Sequence, residues 1–320
     1  MVIAKTLKIA VLMGGPSSER EVSLRSGTAV ANALAANGAK VMPIDIKDTA
    51  FTMPTNVDVA FVALHGTFGE DGTLQRLLEN GGIKYTGSGP EASARAFDKI
   101  AAKKAFLVAG VPTPKYEVFD REHTDLPRLA RLGFPLVVKP SRQGSSVGIS
   151  IVQAEGDLEE ACRIAWHYDD HLLVEQFIAG RELTVGVLDG RALPVVEIRP
   201  KHDFFTYEAK YTKGQTDYLV PAPLDKSLES QVKALALRAH DCLGCRDLSR
   251  VDLILAEDGG PLVLEVNTIP GFTETSLVPK AALAAGIKFP DLCARLVQLA
   301  MARNGKGAAG ATKKEPLTIS

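Results

Sequence analysis

The stretch that decides the fold reads Arg250-Val-Asp252-Leu-Ile-Leu-Ala-Glu-Asp258-Gly259-Gly-Pro-Leu-Val-Leu-Glu265-Val-Asn267-Thr-Ile-Pro-Gly271. Two apolar runs flank Asp258-Gly259, and an Asp-Gly pair between such runs predicts a two-residue β-hairpin turn. A turn centred there places Asp252 opposite Glu265, whereas a turn shifted by one residue places Asp252 opposite Asn267. In both registers Glu265 and Asn267 share one face, because side chains alternate along a strand.

The face of the hairpin that carries Asp252 and Glu265 is expected to bind a positive charge. Two acids opposite each other destabilise a strand pair, by about 0.2–1 kcal/mol. Two carboxylates and an amide suit a hard cation such as Mg²⁺ better than zinc, and protein-bound Mg²⁺ usually holds substrate phosphates. The alternative is an edge hairpin with solvated acids. Arg250 and the Asn-Thr-Ile-Pro-Gly loop beside the acids favour the metal site.

Composition predicts a cytoplasmic, globular protein. A chain of 320 residues with 46% hydrophobic residues is long enough for two or three domains. The net charge of −1 gives no basic footprint for nucleic acid, and no apolar run approaches the ~20 residues of a membrane span. The start of the chain reads as a first strand rather than a secretory signal. Cys242-Leu-Gly-Cys245 is a lone CxxC, for which buried apolar cysteines are favoured over a zinc or redox role.

The first third alternates strand and helix, which indicates a parallel sheet. Ligands of such sheets bind beyond the carboxyl ends of the strands. Two loops lie at such ends, residues 14–20 with Glu19 and residues 65–72 with His65. Glu19 could equally be an ordinary first-turn acid, in a capping box that starts at Ser18, and His65 a polar residue that ends a strand. Spacing alone does not decide between these interpretations.

A candidate anion site follows in the middle of the chain. A helix over 91–109 carries Lys99, and a strand over 135–139 ends in Lys139 before the Gly/Ser-rich residues 140–148. Backbone N–H groups and hydroxyls of such a loop can surround phosphate oxygens while a lysine supplies charge. The alternative is a flexible hairpin loop, and a lysine that ends an apolar strand argues against it.

The remaining segments predict an acid near a strand end and a lid. Glu175 interrupts an apolar strand over 172–178, so it is expected near the strand end. The polar and aromatic residues 200–222 are too long for an ordinary connection and predict a functional lid. Residues 304–320 are rich in Gly, Ala and Lys and predict a disordered tail.

Segments spread along the whole chain resemble one family. They are Gly-Gly-Pro-Ser-Ser-Glu-Arg-Glu-Val-Ser (14–23), Leu-His-Gly…Gly-Glu-Asp-Gly-Thr (64–73), Tyr-Thr-Gly-Ser (85–88), Asp-Lys (98–99), Val-Lys-Pro…Gly-Ser-Ser-Val-Gly (138–148), Glu-Ala-Lys-Tyr (208–211), Arg-Val-Asp (250–252) and Glu-Val-Asn-Thr-Ile-Pro-Gly-Phe-Thr (265–273). In this order and spacing the set resembles the D-alanine–D-alanine ligase family of the ATP-grasp superfamily.

The resemblance implies an α/β fold with four parts. An N-terminal parallel-sheet, Rossmann-like (pre-ATP-grasp) domain would span 1–97, followed by a two-subdomain ATP-grasp fold of α+β character. The central subdomain would span 98–181, the C-terminal subdomain 182–303 with the lid at 200–222, and the tail 304–320.

The family joins two D-alanines at the expense of ATP, and the resemblance implies a role for each candidate residue. Catalytic roles would belong to Glu19, Ser145, Tyr211, Arg250 and Gly271. ATP would be bound by Lys99, Lys139, Glu175, Gln176, Ile178, Glu182 and Lys210. The D-alanine substrates would contact His65, Ser276 and Leu277. Two Mg²⁺ or Mn²⁺ ions would be bound by Asp252, Glu265 and Asn267. The resemblance also implies a homodimer formed through the N-terminal domain, while the composition predicts no binding to nucleic acid or membrane.

Two alternatives stay open at this point. One is a ligase that uses D-lactate or D-serine as the second substrate, against which Tyr211 in Glu-Ala-Lys-Tyr argues. The other is a catalytically silent nucleotide-binding regulator, which should have lost some of the lysines or metal ligands. The chain departs from the family pattern at Gln143, Arg76 and Ser249, and none of these is a matched ligand position.

Overall fold

The computed structural model describes residues 6–122, 125–200, 216–257, 259–303 and 317–319. The strands there are β1 (Lys8–Gly14), β2 (Lys40–Ile46), β3 (Phe51–Met53), β4 (Val59–Val62), β5 (Tyr116–Asp120), β6 (Leu136–Pro140), β7 (Ser150–Val152), β8 (His171–Gln176), β9 (Gly180–Leu188), β10 (Arg191–Ala192), β11 (Val196–Pro200), β12 (Thr216–Leu219), β13 (Leu248–Ala256), β14 (Pro261–Asn267) and β15 (Leu317–Ile319). The helices there are α1 (Arg20–Ala36), α2 (Thr73–Asn80), α3 (Pro90–Phe97), α4 (Lys99–Val108), α5 (Leu126–Ala130), α6 (Leu158–Ala165), α7 (Lys226–Cys242), α8 (Leu277–Ala284) and α9 (Phe289–Ala302).

The N-terminal region is built on a parallel sheet, as the β-α-β alternation predicts. Its strand order is β2-β1-β4, and β1 pairs with both neighbours in parallel. β1 is almost wholly apolar and buried, because α1 covers one of its faces and packs Val30 and Leu34 against Ile9 and Val11. The loops that carry Glu19 and His65 therefore leave the same edge of this sheet.

Besides the two-stranded pair of β3 and β15, the described residues form two larger antiparallel sheets. The central sheet has the order β5-β8-β6-β7, and the C-terminal sheet has the order β12-β11-β9-β13-β14, with β10 paired to β9. This confirms the α+β character predicted for the nucleotide-binding part. The domain boundaries at 97/98 and 181/182 remain predictions, and the second one falls inside β9.

The predicted hairpin of β13 and β14 forms, but Leu255 pairs with Pro261, which is not the register of the predicted two-residue turn. Near the loop Leu253 faces Val263, and the register then shifts so that Asp252 faces Glu265 and Arg250 faces Asn267. Leu264 is the extra residue of a β-bulge, which places two residues of β14 against one of β13. The predicted Asp252–Glu265 pairing is therefore present, and the bulge produces it.

The helix predicted over 91–109 is two helices, because Asp98 interrupts it. Asp98 has an extended backbone (φ −81°, ψ 104°), and its carboxylate accepts hydrogen bonds from the N–H groups of Ile100 and Ala101 at 3.0 and 3.1 Å. An aspartate in this position ends one helix and caps the next. Lys99 consequently begins α4 instead of lying inside a longer helix.

Two C-terminal elements, α9 and β15, contact the N-terminal region. Leu292 and Leu296 of α9 belong to the same apolar cluster as Ile9 and Leu34, so this helix packs with the N-terminal core despite its assignment to the C-terminal subdomain. β15 pairs antiparallel with β3. Of the tail predicted to be disordered over 304–320, only 317–319 lie within the described residues, and they form β15; the disorder of the tail stays a prediction.

The predicted lid over 200–222 is partly regular. Pro200 ends β11 and pairs with Thr216 at the start of β12, so strand pairing replaces the expected irregular structure at both ends. Residues 201–215, with Lys210 and Tyr211, lie outside the described residues. Within the described ranges, no helix has the length and apolar composition needed to cross a membrane.

Close backbone packing between β9 and β13 makes Gly180→Ala a test of this sheet. A Cβ at Gly180 would lie 2.1 Å from the carbonyl oxygen of Leu255, so the strands would have to separate. We expect Gly180→Ala to lower the free energy of unfolding by about 1–3 kcal/mol, measured by urea denaturation. Gly260→Ala is the control, because a Cβ at Gly260 meets no atom within 4 Å. Equal stabilities of the two variants would contradict this packing argument.

Candidate active site

One cleft of about 1080 Å³ collects every predicted site residue that the structure describes. The lining residues come from the two larger antiparallel sheets, from helices, and from the loops that follow β1 and β4. The predicted residues among them are Glu19, His65, Lys99, Lys139, Ser145, Glu175, Gln176, Ile178, Glu182, Arg250, Asp252, Glu265, Asn267, Gly271, Ser276 and Leu277. Their individual roles stay predictions, and Lys210 and Tyr211 lie outside the described residues.

The acidic face of the hairpin already has a cation beside it. Arg250 donates from Nε to Asp252 Oδ1 at 2.9 Å and from Nη2 to Asp252 Oδ2 at 2.7 Å, and the Thr184 hydroxyl donates to Oδ1 at 2.6 Å. Burial disfavours the charged guanidinium, but Asp252 and Glu265 outweigh it and raise the pKa of Arg250. Arg250 therefore keeps its charge and supplies part of the positive charge that was predicted between Asp252 and Glu265.

The oxygen atoms on this face fit a hard divalent cation. Asp252 and Glu265 are paired across the strands, and the Asn267 amide oxygen is oriented by the N–H of Ile269 at 2.9 Å. Within the described residues no three His, Cys, Asp or Glu side chains form a metal-binding group. Two carboxylates and one amide are an incomplete shell, so water or substrate oxygens must complete it. Mg²⁺ at phosphate sites is coordinated in this way.

The lysines of the cleft lie in a buried charge network. Lys139 on β6 and Lys103 on α4 each form an ion pair with Glu175, which is 2% exposed. Burial alone would raise the pKa of Glu175, but the two ammonium groups lower it, so the carboxylate is ionised. Lys99 donates to the carbonyl oxygen of Gln143, and burial lowers its pKa.

Lys103 is not among the site residues predicted from the sequence. The spacing of four residues from Lys99 could have indicated it, because residues four apart on a helix lie on the same face. Both lysines are buried on one face of α4, although Lys103 lies behind the cleft wall instead of lining it.

Glu19 joins the N-terminal loop to the Gly/Ser-rich loop of the central sheet. The Ser145 hydroxyl donates a hydrogen bond to the Glu19 carboxylate. A Cβ at Gly144 would lie 2.5 Å from Glu19 Oε2, so the loop backbone approaches the carboxylate closely. The predicted capping box is wrong, because Glu19 itself is the N-cap residue of α1 and no side chain caps the helix. Glu19 is oriented toward Ser145 and not toward the helix.

His65 couples the N-terminal region to the loop after β14. Its Nδ1 lies 2.9 Å from the carbonyl oxygen of Ile269 and its Nε2 lies 2.9 Å from the Ser26 hydroxyl, which accepts from the N–H of Phe272 at 3.1 Å. A carbonyl oxygen only accepts, so Nδ1 carries a proton, while Nε2 is hydrogen-bonded to the Ser26 hydroxyl. Both ring nitrogens are engaged by the protein, so a direct hydrogen bond from His65 to substrate would require one of these bonds to break.

A second missed residue lies beside His65. Glu70 is buried, its carboxylate accepts from the N–H of Gly66 at 3.1 Å, and it lies 3.9 Å from His65. Burial raises the pKa of Glu70, and the nearby Glu19 acts in the same direction. No sequence signal distinguished Glu70 from the neighbouring acid Asp71.

Ser276 and Leu277, which also line the cleft, mark the start of α8. Ser276 is the N-cap residue, with an extended backbone, and its hydroxyl accepts from the N–H of Thr273 at 3.1 Å. Gly271 is close by, because a Cβ there would lie 3.4 Å from the Ser276 hydroxyl oxygen. A helix N-terminus with free N–H groups favours a carboxylate, which fits the predicted substrate contact.

The coupling through His65 predicts a stability difference between two buried serines. Ser26→Ala removes the hydroxyl that satisfies both His65 and Phe272, so we expect the free energy of unfolding to fall by about 1–3 kcal/mol in urea denaturation. Ser93→Ala is the matched control. Ser93 is also fully buried, but its hydroxyl has no hydrogen-bond partner within the described residues. A loss of stability in Ser93→Ala as large as in Ser26→Ala would refute the coupling.

Comparison with known proteins places these features in a family. The family model described as "D-ala D-ala ligase N-terminus" matches residues 8–54 and 49–88, and the one described as "D-ala D-ala ligase C-terminus" matches residues 106–298. The D-alanine–D-alanine ligase of Syntrophotalea carbinolica is 51% identical over 292 residues, which are 91% of this chain and 95% of that protein. The ligase of Methylacidiphilum infernorum is 48% identical over 295 residues, covering 92% and 96% of the two chains.

Solved structures give the same result and confirm the ATP-grasp fold. The D-alanine–D-alanine ligase of Bacillus anthracis superimposes with a TM-score of 0.83 at 36% identity, covering 92% of this chain and 97% of that one. The VanG D-Ala:D-Ser ligase of Enterococcus faecalis superimposes with a TM-score of 0.82 at 32% identity, covering 92% and 99%. The resemblance inferred from the motifs is confirmed, and this chain belongs to the D-alanine–D-alanine ligase family.

Proposed function

We propose that this protein joins two D-alanines into D-alanyl-D-alanine, with ATP converted to ADP and phosphate, for peptidoglycan precursors. One observation carries the proposal. A single cleft holds lysines suited to phosphates, an oxygen face suited to a divalent cation, and a carboxylate suited to an ammonium group. A phosphate-activated ligation of amino acids needs all three in one place.

The first step activates the first D-alanine. Its carboxylate attacks the γ-phosphate of ATP, forms an acyl phosphate and releases ADP. Lys99 and Lys139 would offset the phosphate charge from one side of the cleft, and adenine and ribose would contact Glu175, residues 176–178 and Glu182. Asp252, Glu265 and Asn267 would hold two Mg²⁺ or Mn²⁺ ions, whose chemistry is to neutralise charge that spreads over the phosphoryl oxygens.

The second step forms the peptide bond. The amine of the second D-alanine attacks the acyl carbonyl, and the tetrahedral intermediate collapses with loss of phosphate. Arg250 and the Gly271 N–H would stabilise the oxyanion, since donors placed where charge develops lower the barrier. Glu19 would hold the ammonium of the first substrate, supported by Ser145 and Tyr211, and the helix start at Ser276 and Leu277 would receive the second carboxylate.

The lid would protect the activated intermediate. An acyl phosphate hydrolyses in water, so closure of the cleft favours transfer to the amine. Lys210 would descend with the lid and contact the γ-phosphate. His65 would lie near the carboxylate of the first substrate and act through the loop that it holds by hydrogen bonds to Ile269 and, through Ser26, to Phe272.

A second candidate differs only in the second substrate. The VanG enzyme, described as a D-Ala:D-Ser ligase, superimposes almost as well as the D-alanine–D-alanine ligase of Bacillus anthracis. The fold therefore does not discriminate between D-alanine and D-serine. Tyr211 of the lid favours D-alanine over D-lactate or D-serine.

The assembly and location follow from the same family resemblance. We expect a homodimer formed through the N-terminal region, which light scattering can check against the 34.1 kDa of one chain. A cytoplasmic location suits a reaction that consumes ATP and a chain with four free cysteines.

Asp252→Asn tests the catalytic assignment of the hairpin. The amide keeps the size of the side chain but loses the charge that a metal ion needs. We expect ADP release in the presence of D-alanine to fall about a hundredfold or more. Excess chelator should abolish turnover of the unsubstituted protein, with recovery on added Mg²⁺. The control is Glu257→Gln, an exposed acid of the same hairpin. Unchanged turnover of Asp252→Asn would remove this residue from the site.

Product analysis tests the identity of the second substrate. The protein is given ATP and D-alanine with equal D-serine or D-lactate, and products are separated by mass. We expect D-alanyl-D-alanine as the main product under both conditions. A main product that contains D-serine or D-lactate would replace the proposed function with the second candidate. ADP release that does not depend on any D-amino acid would contradict both.

A further inference from the structure

Lys103 is a buried charge that the proposed mechanism leaves unused. It lies one turn after Lys99 on α4 and is 1% exposed. Its ammonium contacts the Glu175 carboxylate and the Thr113 hydroxyl. Thr113 in turn donates to the carbonyl oxygen of Val263 at 2.7 Å, on β14. Lys103 is thus held from two sides and does not line the cleft.

Glu175 divides its two oxygens between two lysines. Oε1 contacts Lys103 and Oε2 contacts Lys139, so one carboxylate carries two ammonium groups. The two lysines differ in access, because Lys139 faces the cleft whereas Lys103 is enclosed behind it. Lys103, Lys139 and Glu175 together carry one net positive charge. Because Lys139 lines the cleft, this charge can be offered to phosphates that bind there.

The excess charge matters when an anion draws Lys139 into the cleft. If Lys139 turns toward a phosphate, Glu175 loses one of its two counterions inside the protein. A buried carboxylate without a partner is strongly disfavoured. Lys103 removes this obstacle, since it stays bound to Glu175 and to Thr113 while Lys139 moves. Without Lys103, Glu175 would hold Lys139 as its sole counterion in this network.

We propose that Lys103 is a positioning residue that holds Glu175 and thereby frees Lys139 to bind the phosphates of ATP. This inference rests on the proposed function only in that the cleft binds ATP. Burial lowers the pKa of Lys103 to about 8, against the opposing effects of Glu175 and Glu265. At neutral pH the ammonium is therefore mostly charged, as the role requires.

Steady-state kinetics of Lys103→Met provide the first test. Methionine keeps the length of the side chain and removes its charge, so Glu175 should retain Lys139. We expect the KM for ATP to rise about tenfold, the scale for losing a group that orients a ligand. The kcat and the KM for D-alanine should stay near those of the unsubstituted protein, because neither amino-acid contact involves Lys103. Lys104→Met is the matched control, since Lys104 is the exposed neighbour.

A double-variant cycle with Glu175→Gln separates positioning from general damage. If Lys103 acts through the charge of Glu175, Lys103→Met should change the KM for ATP by less than about twofold in the Glu175→Gln background. The same factor in both backgrounds would overturn the proposal, and so would an unchanged KM for ATP in Lys103→Met.

Folding of the variants and ATP turnover of the unsubstituted protein are measured separately. Thermal unfolding of each variant shows whether it is folded, and Lys103→Gln, which retains a donor without the charge, replaces Lys103→Met if the latter does not fold. Failure of both variants to fold would make Lys103 a folding residue and reject the positioning role. Absence of ATP turnover in the unsubstituted protein would instead contradict the proposed function.

Discussion

The register between β13 and β14 is the constraint on which the site depends. The loop end of the hairpin pairs Leu253 with Val263, and that register, continued, would place Leu264 opposite Asp252. A one-residue slip turns every following side chain to the other face of a sheet. The bulge at Leu264 shifts the register by one residue, so that Glu265, and not Leu264, lies opposite Asp252. Glu265 and Asn267 therefore face the cleft together with Asp252. A single inserted residue thus decides whether the three oxygen ligands lie together.

Charge balance inside the cleft depends on ion pairs among its buried side chains. Arg250, which lines the cleft, offsets Asp252 on the same strand, and Lys103 offsets Glu175 from behind the wall. Each of these two carboxylates thus has a cation directly beside it. This arrangement lets the cleft present both anionic and cationic surfaces in a buried setting, where an unpaired charge is disfavoured.

The sequence predicted the fold and the participants better than the contacts among them. Strand alternation and residue order were enough for the parallel sheet and for the family, because both are local or linear patterns. The break at Asp98 was missed, since an apolar periodic run hides an internal cap. The bulge was missed because pairing geometry is not a property of one strand. Lys103 and Ser26 were missed because their importance comes from Glu175 and His65, which are distant in the chain.

The packing of α9 on α1 has a consequence for how the chain acquires its structure in the cell. Leu292, Leu296 and Val297 complete an apolar cluster that begins with Ile9 and Val11. Domains usually fold as units while the ribosome is still elongating the chain. Here the core of the first sheet stays open until residues 289–302 have been synthesised, because α9 supplies part of it. A nascent chain that ends before α9 therefore exposes the outer face of α1.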